Sequence, residues 1–204
     1  MAFATIDVTK GITGTIPVAN GGTGLASGTT GQFLKFTGST TVASATVDPG
    51  ITEADQWRVT TNFNGSANPV SSNWERNDTN FDKIGTGMSE SSGTFTFAST
   101  GIYLVQYGGV VSYNGNLRYC DYKINGSTDG FSSNTTLLGT TTTSETSQSA
   151  DVYTGATCQV TYDVTNVSNN KIRFAIDSHQ GGATQRCSST YNYHYATFIR
   201  LGDT

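Results

Sequence analysis

From Ile51 onward, runs of β-branched and aromatic residues alternate with turn dipeptides at Asn64-Gly65, Asn114-Gly115, Asn125-Gly126, Asp129-Gly130 and Gly181-Gly182. No window keeps a helical apolar period over three turns. A chain punctuated this way can bury its apolar residues only by pairing strands, so this region is predicted to be all-β. Where the pattern is clean it assigns an inner face. In Lys171 to Asp177, Ile172, Phe174 and Ile176 fall on one side and Lys171, Arg173 and Asp177 on the other, as in a half-buried antiparallel strand. By the same rule Cys120, Tyr122 and Ile124 point inward, as do Val160, Tyr162 and Val164. The run Ile102 to Val111 is apolar on both faces, which predicts a central strand covered on both sides, one cover being another subunit. Near the C-terminus Tyr191, Tyr193, Tyr195, Ile199 and Leu201 share a face, with His194, Ala196 and Phe198 opposite. Three tyrosines in such a ladder are expected to pack at a subunit contact, since each ring buries a large area and its hydroxyl can reach a rim partner.

The first 50 residues behave differently. Gly11 to Gly24 supplies glycine, threonine and one proline, with Ile12, Ile16 and Val18 as isolated apolar beads, and Phe33 follows. No face there is continuous enough to bury, so residues 1–50 are predicted to be an extended arm ordered only by partner contacts, Ile12, Ile16, Val18 and Phe33 being its anchoring residues. The turn triplet Asp48-Pro49-Gly50 ends the arm, and residues 51–204 form the domain.

Composition removes several function classes. Charged residues make up 13% of the chain, the net charge is -4, and the 11 Lys and Arg are scattered singly, so no basic patch exists for nucleic acid or an anionic membrane. No apolar run is long enough to insert in a bilayer, and the N-terminal residues show no export signal, so assembly in a cytoplasm is expected. Three cysteines, Cys120, Cys158 and Cys187, are widely spaced without a Cys-x-x-Cys pair, which predicts reduced, buried thiols.

Catalytic constellations are absent by the same reading. Asp177, Ser178 and His179 are adjacent, so their side chains alternate across a strand and cannot form a triad alone. There is no phosphate-binding loop, no histidine pair at metal-ligand spacing and no paired acids for glycan hydrolysis. No enzyme activity and no cofactor are therefore expected. Asp78 and Asp82 sit in an Asn/Asp-rich segment that has oxygen ligands but lacks the glycine and terminal glutamate of a calcium loop, which leaves Ca²⁺ there an open question. The hydroxyl-rich stretch from Ser132 to Ser149 reads either as a ligand-facing loop, with Asn134, Thr135, Thr141 and Thr142 able to meet sugar hydroxyls, or as a solvated edge strand and turn.

Two resemblances add to this reading. Ile-Pro-Val-Ala-Asn-Gly-Gly-Thr-Gly at positions 16 to 24, followed by Gly-Gln-Phe-Leu-Lys-Phe-Thr-Gly at 31 to 38, resembles a segment of bacteriophage tail fibres and other phage surface fibres. Gly-Thr-Phe-Thr-Phe and Gly-Ile-Tyr-Leu between Gly93 and Leu104, with the final Tyr-Ala-Thr-Phe-Ile-Arg-Leu, resemble the trimeric jelly rolls of the complement globular-head and tumour-necrosis-factor superfamily. The second implies an antiparallel jelly-roll sandwich knob over residues 51–204 and a homotrimer whose threefold axis is lined by aromatic residues of the last strand. Together they lead us to expect a non-enzymatic phage virion protein. Its arm would hold other virion proteins, and its knob would meet a host surface glycan or, alternatively, decorate and stabilise the capsid.

Overall fold

The computed structural model describes Gly22, Thr23, Leu25 and residues 28–46, 50–146 and 150–204. It divides into two units, Met1–Gly50 and Ile51–Thr204. The anchoring positions Ile12, Ile16 and Val18 lie outside the described residues.

In the first unit, β1 (Phe33–Gly38) and β2 (Thr41–Ala45) pair antiparallel as a hairpin. Within the region read as an extended arm, residues 33–45 thus form a hairpin. Backbone pairing needs no buried face, and Phe36 remains 71% exposed opposite Val42. Phe33 is also exposed, paired with Ala45.

The second unit is all-β among its described residues: a jelly-roll sandwich. Its strands are β3 (Ala54–Val59), β4 (Phe63–Asn64), β5 (Trp74–Arg76), β6 (Lys83–Ile84), β7 (Ser89–Ser91), β8 (Thr94–Thr96), β9 (Gly101–Tyr113), β10 (Leu117–Ser127), β11 (Thr136–Glu145), β12 (Val152–Val164), β13 (Lys171–Ser178), β14 (Thr184–Arg186) and β15 (Tyr195–Gly202). One sheet has the order β11-β10-β13-β8-β7. The other runs β4-β14-β9-β15-β3-β5, with β12 along the free side of β9 and β6 on β3. All named pairings are antiparallel, and β9 is the spine. It pairs with β12 over its whole length, while β15 and then β14 share its other edge.

The two-residue period decides the core. Ile172, Phe174 and Ile176 of β13 and Cys120, Tyr122 and Ile124 of β10 are all buried, facing Tyr103, Val105 and Tyr107 of β9. Val160 and Tyr162 of β12 pack half-buried at the same core beside fully buried Val164. Aromatic rings fill the centre: Tyr107 stacks on Phe174 with centroids 4.5 Å apart, and Phe95 meets Trp74 edge-on at 5.1 Å and Phe174 at 5.3 Å. At one end of the sandwich, buried Asp55 accepts hydrogen bonds from Trp57 Nε1 (2.9 Å), the Met88 backbone N–H (2.7 Å) and the Arg76 guanidinium (3.0 Å), whose carbon lies 4.7 Å over the Trp57 ring. A buried carboxylate is tolerable only when its lone pairs are occupied in this way.

The dipeptide Asn125-Gly126 is not a turn. It lies inside β10, where the pairing with β11 shifts register between Ile124 and Asn125. A bulge uses the same residue types as a turn. Asp129-Gly130 does turn the chain, with Gly130 at φ 71°.

Candidate functional site

Because residues paired across antiparallel strands share a face, the registers define the outward surface of the larger sheet. It carries Ile102, Leu104, Gln106 and Val110 from β9, Tyr195, Thr197, Ile199 and Leu201 from β15, and Gln56 and Arg58 from β3. From β12 it carries Tyr153, Thr157, Gln159 and Thr161. Ile102, Leu104, Val110 and Ile199 are only half-buried, and Leu201 is 58% exposed. The expected doubly apolar strand is thus present: one side of β9 is sealed in the core, and the other is incompletely covered within a single chain.

This face has two parts. Toward Ile51, where the chain enters the sandwich, it is aliphatic through Ile102, Leu104, Ile199 and Leu201. Toward the other end it is hydroxyl- and amide-rich. The Tyr195 and Thr157 hydroxyls lie 3.4 Å apart across Gly108, and the Arg186 guanidinium sits 5.3 Å from the Tyr153 ring. Arg58, 1% exposed, points to this side and is paired with Glu75 at 3.1 Å and Asn77 at 3.2 Å. It is covered because the chain before β15 folds over β3: Ser188 N–H donates to Val59 O, Val59 N–H to His194 O, and the Asn192 amide to Gln56 Oε1 at 2.6 Å.

That crossing segment corrects the tyrosine ladder. The last strand begins at Tyr195, so only Tyr195 projects from it beside Thr197, Ile199 and Leu201. Tyr191 and Tyr193 belong to the preceding loop, 64% and 43% exposed, their rings 6.0 Å apart. The opposite side of β15 is as the alternation predicts, with Ala196 and Phe198 in the core.

His194 is fully buried just ahead of the strand. Its Nε2 lies 2.6 Å from the Tyr107 hydroxyl, and its Nδ1 has no hydrogen-bond partner among the described residues. Burial lowers its pKa from 6.5 to about 3, so the ring is neutral at physiological pH. Among the described residues no Ser, Thr or Cys bonds the ring; its neighbours are the rings of Tyr107, Tyr122, Phe63 and Trp74. The three cysteines are unpaired, and desolvation raises all three thiols, Cys158 to about 11 and Cys187 to about 12. Protonated thiols of this kind are poor nucleophiles.

The hydroxyl-rich stretch is mostly an edge strand. Thr141 and Thr142 lie in β11, opposite Tyr122 and Asp121, and the Thr142 hydroxyl donates to Asp121 Oδ1 at 2.7 Å. The ligand-facing-loop reading is corrected for these two residues, because pairing with β10 uses backbone groups that polar side chains do not hinder. Asn134 and Thr135 do lie in the turn before β11. Asp129 organises that turn, accepting from the Ser127 hydroxyl (2.7 Å), Ser133 N–H (3.0 Å), the Ser133 hydroxyl (2.8 Å) and Asn134 N–H (2.9 Å); the Ser127 bond first, and then those from Ser133, hold its carboxyl well below the usual range.

Asp78 and Asp82 follow β5 on an exposed turn. The neighbouring Asn77 amide is engaged with Arg58 and, at 2.8 Å, with Gln56 Oε1. Among the described residues no three His, Cys, Asp or Glu side chains converge as a metal site would require.

Sequence reasoning missed one concave site. Phe63, Ala67, Pro69, Val70, Ser71, Ser72 and Asn73 line a hollow of about 140 Å³ that opens to solvent. It brings together a strand residue and a loop four to ten positions later, and no local pattern announces such a meeting.

No protein-family model matches the chain, and no curated protein does. Solved structures match its fold. The crystal structure of murine APRIL at pH 5.0 aligns with a TM-score of 0.54 at 13% identity, covering 73% of this chain and 98% of that one. The structure of Eiger TNF from S. frugiperda aligns with a TM-score of 0.54 at 12% identity, covering 74% and 93%. The knob therefore has the jelly-roll fold of tumour-necrosis-factor-like proteins.

Proposed function

We propose that this chain is a homotrimeric surface protein of a bacteriophage particle, held by residues 1–50 and presenting residues 51–204 for non-enzymatic attachment to a host surface glycan. The observation that carries the assembly is the outward face of the larger sheet, where Ile102, Leu104, Ile199 and Leu201 form an apolar area that one chain leaves open. Contiguous apolar surface of this kind is characteristic of subunit interfaces. The resemblance to trimeric jelly rolls supports three copies over two. Tyr195 would lie within the contact, with Tyr191 and Tyr193 at its rim, and the phage-fibre-like string at positions 16 to 24 supports the virion setting.

Sedimentation velocity of the full chain tests the assembly. Three copies are expected, and Leu104→Glu should give a folded monomer, because three carboxylates would meet in a desolvated seam. A stable wild-type monomer at micromolar concentration overturns it. Retention of the wild-type chain on immobilised bacterial surface polysaccharide tests the adhesive part.

A further inference from the structure

The cavity bounded by Phe63 and the 67–73 loop is a shaped, neutral hollow. Its wall is apolar, from the Phe63 ring, Ala67, Pro69 and buried Val70, and its rim is polar, from Ser71, Ser72 and Asn73. No acid or base lines it. At about 140 Å³ it is several times the roughly 30 Å³ share of one water and below the roughly 300 Å³ at which drug-sized sites begin. That fits one neutral ring-sized molecule with both an apolar face and several hydroxyls.

The frame is fixed by main-chain bonds and the Trp74 indole N–H, so the hollow exists before any ligand arrives. Val70 N–H donates to Phe174 O at 2.8 Å, and Val70 O accepts from Trp74 Nε1 at 2.8 Å. Ala67 exchanges backbone bonds with Ile176, at 3.0 and 2.8 Å. Thr60 N–H, with its hydroxyl beside it, donates to Asn73 O. The rim side chains are uncommitted by comparison: no described residue bonds the Ser71 hydroxyl, and Ser72 Oγ receives only a 3.5 Å contact from the Asn73 amide. Preorganised walls with free hydroxyl and amide groups are what selective binding of a polar ring needs.

Location adds a second line. β3 runs from Ala54, just after the point where the chain enters the knob, to Val59, and Asn73 is tied to Thr60 immediately beyond it. The hollow therefore lies beyond the end of β3 that is remote from Ile51.

We propose that this hollow is a subsite for a single neutral pyranose, whose apolar ring face would lie on Phe63 and Pro69 and whose hydroxyls would bond Ser71, Ser72 and Asn73. The assignment deepens the glycan-attachment reading and rests on it. It moves the contact away from Thr141 and Thr142.

The test titrates the full chain with glucose, galactose, mannose, N-acetylglucosamine and N-acetylgalactosamine, observed by saturation-transfer NMR, and repeats it with Ser71→Tyr and Ser72→Tyr. Both substitutions are at exposed rim positions, and melting temperature and sedimentation serve as folding controls. Saturable binding of at least one sugar, weakened tenfold or more by either rim tyrosine with folding unchanged, supports the proposal. Binding that survives both substitutions overturns it while leaving the attachment reading standing, with the sugar elsewhere. If no sugar saturates, the subsite is overturned, and retention of the wild-type chain on bacterial polysaccharide then decides whether attachment falls with it.

Discussion

Acid should unfold this protein through His194. The ring is fully buried among Tyr107, Tyr122, Phe63 and Trp74, and burial brings its pKa from 6.5 to about 3. The folded state therefore excludes a proton that the unfolded chain takes up as soon as the pH drops below 6.5. Stability is unaffected above 6.5, declines as the pH falls through the window from 6.5 to about 3, and loses nothing further from this group below that. At about 1.4 kcal/mol per pH unit, the full loss is roughly 5 kcal/mol, comparable with the whole stability of a small domain. Urea unfolding at fixed protein concentration between pH 4 and pH 8, for wild type and His194→Gln, isolates the effect. The glutamine amide can still meet the Tyr107 hydroxyl but has no proton to take up in this range. The variant should start less stable at pH 8, and its curve should fall more gently with acid, so that the two converge or cross near pH 4. Parallel curves separated by a constant offset would refute the reasoning.

Other substitutions probe the rest of the core and the arm. A methyl group at Gly109 would lie 2.5 Å from Tyr122 Cε1 and 2.8 Å from His194 Nδ1, so Gly109→Ala should destabilise by about 1–3 kcal/mol in thermal melting. Asp55→Ala leaves the Arg76 guanidinium and the Met88 N–H without their shared acceptor and should cost about 3–5 kcal/mol by urea unfolding. Deleting residues 1–30 should preserve three-copy sedimentation of the knob while abolishing its recovery in purified particles; normal incorporation would place the anchor elsewhere.

The legible parts of the sequence were those governed by the two-residue period. Ile172, Phe174 and Ile176, or Cys120, Tyr122 and Ile124, announce their burial because neighbours alternate with polar residues and the strand is half-buried. The same rule misleads at Tyr191 and Tyr193. Their spacing continues that of β15, but the chain leaves the sheet at Tyr195 to cross β3, and the bonds that hold it there, Asn192 to Gln56 and Ser188 to Val59, join residues far apart in sequence. Thr136 to Glu145 shows the opposite limit. An edge strand needs backbone partners more than apolar side chains, so the threonine-rich pattern could not decide between a loop and the edge strand that the structure shows. The 63–73 hollow was invisible for a third reason: its shape comes from backbone contacts to β13 that no side-chain pattern encodes.

Because those contacts are made by peptide groups, Ser71, Ser72 and the side chain of Asn73 contribute little to holding the loop in place. If the hollow binds a sugar as proposed, substitutions at Ser71 and Ser72 would change what it accepts without disturbing the fold beneath it, whereas Asn73, at φ 62°, is more constrained. On that proposal specificity and foldability would be written in different residues, and a lineage under pressure to recognise an altered surface could explore positions 71 and 72 one codon at a time, the scaffold remaining constant throughout.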